Sequence, residues 1–389
     1  MHNRWGILAV LFTVRLSMSF QFQSVGAIAP LMQSEFHTSL ADIGLLIGLY
    51  FTPGVALALP GGAIGQRFGD KATAMLALVL MLAGGVAMML SDTWSGQIAG
   101  RLIGGAGGVL LTVQATKMVA DWFAGKEIAT AMAAYVVSWP AGIALSLLTL
   151  PAVGTAYGVR AVQYGVLIMI VLCAVLFAAT YRSPDSPVAA STAVASARPD
   201  RRATAEVIMA GLIWGAFNVG FATIFSFGPS MLAERGWSIS AAGSIISVVL
   251  WISVFAVPGG GVLADRSRRL QTVLVAAAIG GALLMFAFPR GETVLPTAIA
   301  LGLVAALPAG PIMSLPARVL APATRSIGMG IFYTMYYASM MLGPVAGGAV
   351  AKWSGSAGAA FDFGAACMLV CPVLLWGFNR LAPAAAKAA

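Results

Sequence analysis

Two arginines interrupt otherwise apolar stretches of the chain, Arg15 and Arg101. Arg15 stands ten residues past Trp5. That is roughly 15 Å along a helix, near the middle of a hydrocarbon core ~30 Å thick. A cation there costs at least ~2.5 kcal/mol, so it must face a bundle interior or a watery cavity. Ser19, Gln23 and Gly26 follow at i+4, i+8 and i+11, on one helical face with Arg15. A guanidinium so placed can bind an anionic solute through its planar fork; carbonyls or a hydroxyl could instead satisfy it. Arg101 lies near the outer end of its apolar run. A structural or gating role suits it as well as contact with a solute.

The acids matter by their absence. All 13 Asp and Glu fall in loops or at helix ends, and neither His2 nor His37 lies in an apolar run. A proton relay within a membrane normally uses Asp, Glu or His. This weighs against a drug/proton antiporter and leaves Arg15 without an obvious carboxylate partner. Neutral polar and aromatic groups come from elsewhere. Trp214, Asn218, Phe221 and Phe225 form one stripe, and Ser244, Ser247 and Trp251 another. Tyr333, Tyr336 and Tyr337 sit together, as do Tyr135 and Trp139. Any one aromatic is more often packing than contact. An amide or phenol in lipid needs a partner, which singles out Asn218 and Tyr337. The expected solute contacts are Arg15, Gln23, Arg101, Trp139, Asn218, Trp251 and Tyr337. No catalytic group, metal site or cofactor is expected. Cys173, Cys367 and Cys371 lie in apolar runs and read as small hydrophobes. Gly100, Gly104 and Gly108 recur every fourth residue, a spacing that lets helices approach closely. No Lys-Ser or Lys-Thr follows them, so they are not a phosphate loop.

The elements that hold these residues are membrane helices. The chain is 60% hydrophobic and 9% charged, with mean hydropathy +0.92, whereas soluble domains carry roughly 25% charged residues. The net charge of +9 does not imply nucleic acid, because the basic residues fall in short loops between apolar runs. Runs of about 20 apolar residues place helices near 5–31, 42–65, 72–91, 96–118, 128–150, 161–181, 206–232, 241–264, 272–289, 294–316, 327–350 and 359–380. The first run is too long for a signal peptide's apolar segment, so a retained helix is expected. The fold expected is all-α, twelve membrane helices in two pseudo-symmetric halves, 1–181 and 206–389. A Pro/Ser/Ala-rich linker, 182–205, joins them. Outer loops hold Arg160, Arg235, Arg290 and Lys352; every other Lys and Arg outside the runs falls on the inner side. Both termini are therefore expected in the cytoplasm, and the protein as a monomer in the bacterial inner membrane.

The halves share one plan. Val257–Arg269 reads V-P-G-G-G-V-L-A-D-R-S-R-R, and Pro60–Lys71 reads P-G-G-A-I-G-Q-R-F-G-D-K. Each follows the second helix of its half, about half the chain apart, as in an internal repeat. Gly261-x-Leu263-x-Asp265-Arg266-x-x-Arg269 resembles the G-x-L-x-D-R-x-G-R-R loop of the major facilitator superfamily, with Arg268 in the glycine slot. The first copy departs from it: Gln66 replaces the acid and Asp70 a basic residue. Arg101-x-x-x-Gly105-x-Gly107, Trp122-Phe123-x-x-x-Glu127 and Gly343-Pro344-x-x-Gly347-Gly348 extend the likeness over nearly the whole chain. Ser24–Leu31 is similar to the first helix of bacterial cyanate-permease-like anion carriers. The resemblance implies that Arg67, Asp265, Arg266 and Arg269 latch the halves at the cytoplasmic side, Asp265 foremost. The plainer alternative is that the basic residues only hold the loops inside.

Three functions compete on this reading. The first is a secondary transporter for a small organic anion such as a carboxylate, coupled to H+ or a counter-anion. The second is a multidrug exporter of the same fold, favoured by 19 Met and many aromatics. The third, an intramembrane enzyme, lacks paired membrane carboxylates and an H-E-x-x-H motif.

Overall fold

The computed structural model describes residues 3–57, 60–123, 127–183, 199–321 and 324–381. The first half holds α1 (Arg4–Ala27), α2 (Ala29–Phe36), α3 (Leu40–Leu49), α4 (Thr52–Leu57), α5 (Gly61–Phe68), α6 (Asp70–Leu90), α7 (Trp94–Trp122) and α8 (Ile128–Thr180). The second holds α9 (Arg201–Glu234), α10 (Ile239–Ser267), α11 (Leu270–Ala287), α12 (Val294–Val304), α13 (Ala309–Val319), α14 (Arg325–Ser354) and α15 (Gly358–Leu381). Among the described residues there is no strand.

Side chains start several helices. Asn3, Thr93, Asp200 and Ser238 each accept a first-turn N–H, from Trp5, Gly96, Ala203 and Ala241. Each satisfies a donor that a helix start leaves without a partner. Proline sets the breaks. The run expected at 5–31 divides at Ile28, because Pro30 offers no N–H to continue the ladder. The run at 42–65 divides at Tyr50–Phe51, ahead of Pro53, and again at Pro60; its residues 58–59 lie outside the described residues. The run at 294–316 is interrupted over 305–308, where Pro308 precedes α13.

Ten helical runs among the described residues are long and apolar enough to cross a membrane. One of them, Thr130–Thr180, has 51 residues and reverses at Gly158, whose φ of 84° and ψ of 174° suit glycine. Its two limbs flank the same turn of α1: Arg15 donates to Tyr135 O, and Cys173 Sγ donates to Thr13 O. That run is therefore two spans. α14, 30 residues long, exceeds the ~20 a span needs. With α14 the described residues hold twelve long helical limbs, six in each half, consistent with the twelve expected. α9 begins at Arg201, so Arg201–Ala205 belong to the second half and not to the linker; 184–198 lie outside the described residues.

The N-terminal end of α1 and the C-terminal end of α15 define one side of the bundle, the terminal side. There Lys71 Nζ donates to Ala178 O and Tyr181 O, at 2.9 and 2.8 Å, and Arg202 Nε donates to Leu381 O at 2.7 Å. In each half a cation caps the last helix, where carbonyls lack partners.

The halves meet most closely toward the far side. A Cβ on Gly44 would stand 2.2 Å from Pro344 O, and one on Gly48 would stand 2.3 Å from Met341 O. α3 thus packs backbone to backbone on α14. α8 meets α10 in the same way, with Gly243 against Leu147 O. α1 is tied to α9 by Gln23 Nε2, which donates to Phe225 O at 2.7 Å. Gly54 lies under the Tyr337 ring and is the contact nearest the terminal side of those named.

Candidate functional site

Arg15 lies below this seal, on the terminal-side half of α1, and is half-buried. Its Nη1 donates to Tyr135 O at 3.3 Å, and its guanidinium carbon is 4.6 Å from the Tyr135 ring centroid. Its Nε is buried and makes no hydrogen bond. Among the described residues it has no ion pair. A guanidinium offers five N–H donors, and most of these are unused. Tyr333, Tyr336 and Tyr337 of α14 lie within electrostatic reach of Arg15, and Tyr135 within reach of Tyr337. The Tyr135 hydroxyl is buried without a hydrogen-bond partner. Thr116 beside it gives its own hydroxyl to Thr112 O at 2.7 Å. Arg15 thus keeps spare donors beside the Tyr135 ring.

Rings close the site above them. Trp139 stacks on Phe22 at 5.3 Å, and Phe51 lies 6.4 Å from Trp139 and 6.1 Å from Tyr336. Tyr336 in turn lies 5.0 Å from Tyr337 and 6.2 Å from Trp214. The rings form one continuous wall across α1, α4's leading turn, α8, α9 and α14. Trp139 and Tyr337, both expected contacts, stand in it. Phe22, Phe51 and Tyr336 stand there too, and Tyr135 lies against Arg15; none of the four was among the expected contacts. Phe22 is two helical turns above Arg15 on α1, a spacing that could have revealed it. Phe51 could not be found that way, because the break before Pro53 takes it off the helical period.

The other expected contacts divide. Arg101 is 1% exposed and fully engaged by backbone. Its Nε donates to Leu46 O at 3.0 Å, Nη1 to Gln21 O at 3.1 Å and Nη2 to Phe22 O. Its guanidinium also faces the Tyr50 ring at 4.6 Å. Arg101 thus clamps α1 and α3 on α7, its Nε and both Nη atoms held by carbonyls. Gln23 spends its amide on the seal to α9. Asn218 is half-buried on α9 and donates to Trp214 O at 2.8 Å within its own helix, beside the ring wall. Trp251 is exposed and shares no ring contact with the wall among the described residues.

The model of the Major Facilitator Superfamily matches residues 11–294 and 216–389. The chain belongs to that superfamily. It is 24% identical over 277 residues to the hexuronate transporter of Bacillus subtilis (strain 168), which covers 67% of this chain and 64% of that protein. It is 27% identical over 165 residues to the inner membrane transport protein YajR of Escherichia coli (strain K12), covering 42% of this chain and 35% of that protein. The chain thus aligns with less than two thirds of either relative's length. Among solved structures it resembles a bacterial homologue of the human lysosomal transporter Spinster, inward-facing and occupied, with TM-score 0.75 and 16% identity over 98% of this chain and 97% of that one. It also resembles the inward-open xylose transporter XylE of E. coli, with TM-score 0.76 and 15% identity over 97% and 96%. At such identities the likeness is one of fold.

Asp265, Arg266 and Arg269 are exposed and make no ion pair among the described residues. Arg67 is exposed, its guanidinium 5.6 Å from the Phe68 ring. In the first-half copy Lys117 meets Asp70 and, at 3.1 Å, Asp121. The copy that departs from the motif is the one with charges in contact.

Proposed function

We propose that this protein is a secondary active transporter that carries a small organic anion across the bacterial inner membrane by alternating access. It is not an enzyme in this reading. The observation that carries it is Arg15, a membrane cation with spare donors, the Tyr135 ring beside it and no carboxylate partner among the described residues. An empty site of this kind is electropositive and attracts an anion. Family membership supports transport, and the name of the B. subtilis relative, a hexuronate transporter, supports an anion. The basic inner loops support cytoplasmic termini. The terminal side is then the cytoplasmic side. Protons or a counter-anion are the coupling species, and the carrier works as a monomer. The ring wall favours a second reading, export of hydrophobic drugs.

Transport by proteoliposomes separates the two. Matched anionic, neutral and cationic solutes are offered to wild type, Arg15→Lys and Arg15→Ala. Arg15→Lys keeps the charge but loses the planar fork, so anion transport should fall by at least about tenfold, and Arg15→Ala should abolish it. Equal transport of neutral or cationic solutes by Arg15→Ala would make the arginine structural and favour the exporter.

A further inference from the structure

We infer that the solute is a monoanion with a flat apolar body, of the class of aromatic monocarboxylates. This rests on the anion reading of the same site and narrows it.

The first argument is charge. Two arginines lie inside the spans, and Arg101 gives its Nε and both Nη atoms to carbonyls of α1 and α3. Arg15 alone has donors to spare. A second carboxylate on the solute would sit in the bundle without a cation among the described residues, and an unpaired buried charge is strongly disfavoured. One positive centre therefore selects one negative charge.

The second argument is shape. The Tyr135 ring lies 4.6 Å from the Arg15 guanidinium carbon, and Tyr333, Tyr336 and Tyr337 of α14 form a chain of ring contacts at 6.4 and 5.0 Å. The faces of Phe22, Phe51, Trp139 and Trp214 belong to the same wall, with Tyr336 in ring contact with Phe51 and Trp214. Trp139, Trp214 and Tyr336 are half-buried, leaving ring surface for a guest. Asn218, the polar side chain beside these rings, donates to Trp214 O. A sugar acid carries hydroxyls around its whole ring, each needing a partner when buried. Ring faces supply none. A flat apolar body instead stacks on them, with its carboxylate held by the Arg15 fork. The solute favoured here differs from what the name of the B. subtilis relative states for that protein.

Binding to the purified full-length protein tests this, with four probes: benzoate, glucuronate, phthalate as a flat dianion, and benzamide as a neutral isostere. Affinities are measured by titration calorimetry for wild type, Arg15→Gln, Trp139→Ala and Trp139→Phe. Size-exclusion profiles confirm that each variant is folded. Benzoate should bind at least about tenfold tighter than any other probe. Trp139→Ala should weaken benzoate by about tenfold, and Trp139→Phe, which keeps a ring, should restore most of it. Glucuronate or phthalate binding as tightly as benzoate, with that binding lost in Arg15→Gln, overturns the inference and leaves the anion reading standing. Benzamide matching benzoate, or benzoate unaffected by Arg15→Gln, overturns the anion reading and this inference with it. No measurable binding of benzoate also overturns the inference.

Discussion

Arg15 and Arg101 carry the same side chain into the same apolar medium, and their surroundings give them opposite roles. Arg101 meets Leu46 O, which belongs to the last four carbonyls of α3 and so has no helical donor. Tyr50 N turns back to Ile47 O instead, ahead of the break at Pro53. The turn of Tyr50 N to Ile47 O leaves Leu46 O as the acceptor that Arg101 fills. Removing that guanidinium strands buried carbonyls, at about 1–3 kcal/mol for each group left unpaired. Arg101→Gln should therefore lower stability by about 3 kcal/mol, read as a drop in melting temperature of several degrees in detergent. Arg15→Gln should leave the melting temperature nearly unchanged and abolish the shift produced by an anionic ligand. Equal losses of stability in the two variants would contradict the division of roles. The sequence shows that both arginines must face inward, since cost alone demands it. It does not show which one is already satisfied, because that depends on where the carbonyls of residues 21, 22 and 46 point.

Among the elements, the pairing of α3 with α14 sets which side is shut. Gly44 and Gly48 admit the α14 backbone at distances no side chain would tolerate. Gly48→Leu should force these helices apart and open the far side. Ser226 is 1% exposed beneath the seal beside Gly26. A cysteine there, in a background lacking the native cysteines, should react with a membrane-impermeant maleimide several-fold faster when Gly48→Leu is added; an unchanged rate would show that the seal does not depend on this contact. The loops on the terminal side behave differently. Asp70 is paired with Lys117 while Asp265 has no ion pair among the described residues. Asp70→Asn should cost no more than ~1 kcal/mol of stability, since the Lys117 side chain is 42% exposed and the pair is screened by water. Asp265→Asn should leave stability unchanged and slow transport, if this side chain bonds only when the terminal side is closed. A loss of stability in Asp265→Asn with normal transport would place its contacts in the present state instead. Span positions were legible from apolar length. The breaks at Ile28 and Tyr50–Phe51 and the reversal at Gly158 were not, because a hydropathy window averages over the one or two residues that interrupt a ladder. The state of the latch was not legible either, since a motif is the same in every conformation of the carrier.

At the scale of the whole molecule, side and charge act together. With the basic loops inside, an impermeant label on intact cells should reach a cysteine placed at Ser356, exposed on the far side, and not one at Ser183, exposed on the terminal side; the reverse pattern would invert the orientation. The position of Arg15 also bears on how the carrier moves. To reorient empty, it must occlude a cation that has one hydrogen bond, to Tyr135 O, and no carboxylate partner among the described residues. Such a charge, closed away from water, is costly by at least ~2.5 kcal/mol. With a monoanion bound, the same movement carries a neutral pair joined by charge-assisted hydrogen bonds. The loaded carrier should therefore turn over faster than the empty one, by a factor of about 10 for each 1.4 kcal/mol between them. The expected behaviour is exchange: labelled benzoate should enter proteoliposomes preloaded with unlabelled benzoate at least about tenfold faster than it enters empty ones. Exchange of one monoanion for another moves no net charge, so a potential imposed with valinomycin and potassium should leave the preloaded rate unchanged. Arg15→Gln removes the occluded cation and should narrow the gap between preloaded and empty vesicles for whatever solute it still carries. Equal rates in preloaded and empty vesicles would mean that Arg15 acquires a partner when the empty carrier closes, and the charge-pairing account of its cycle would fail.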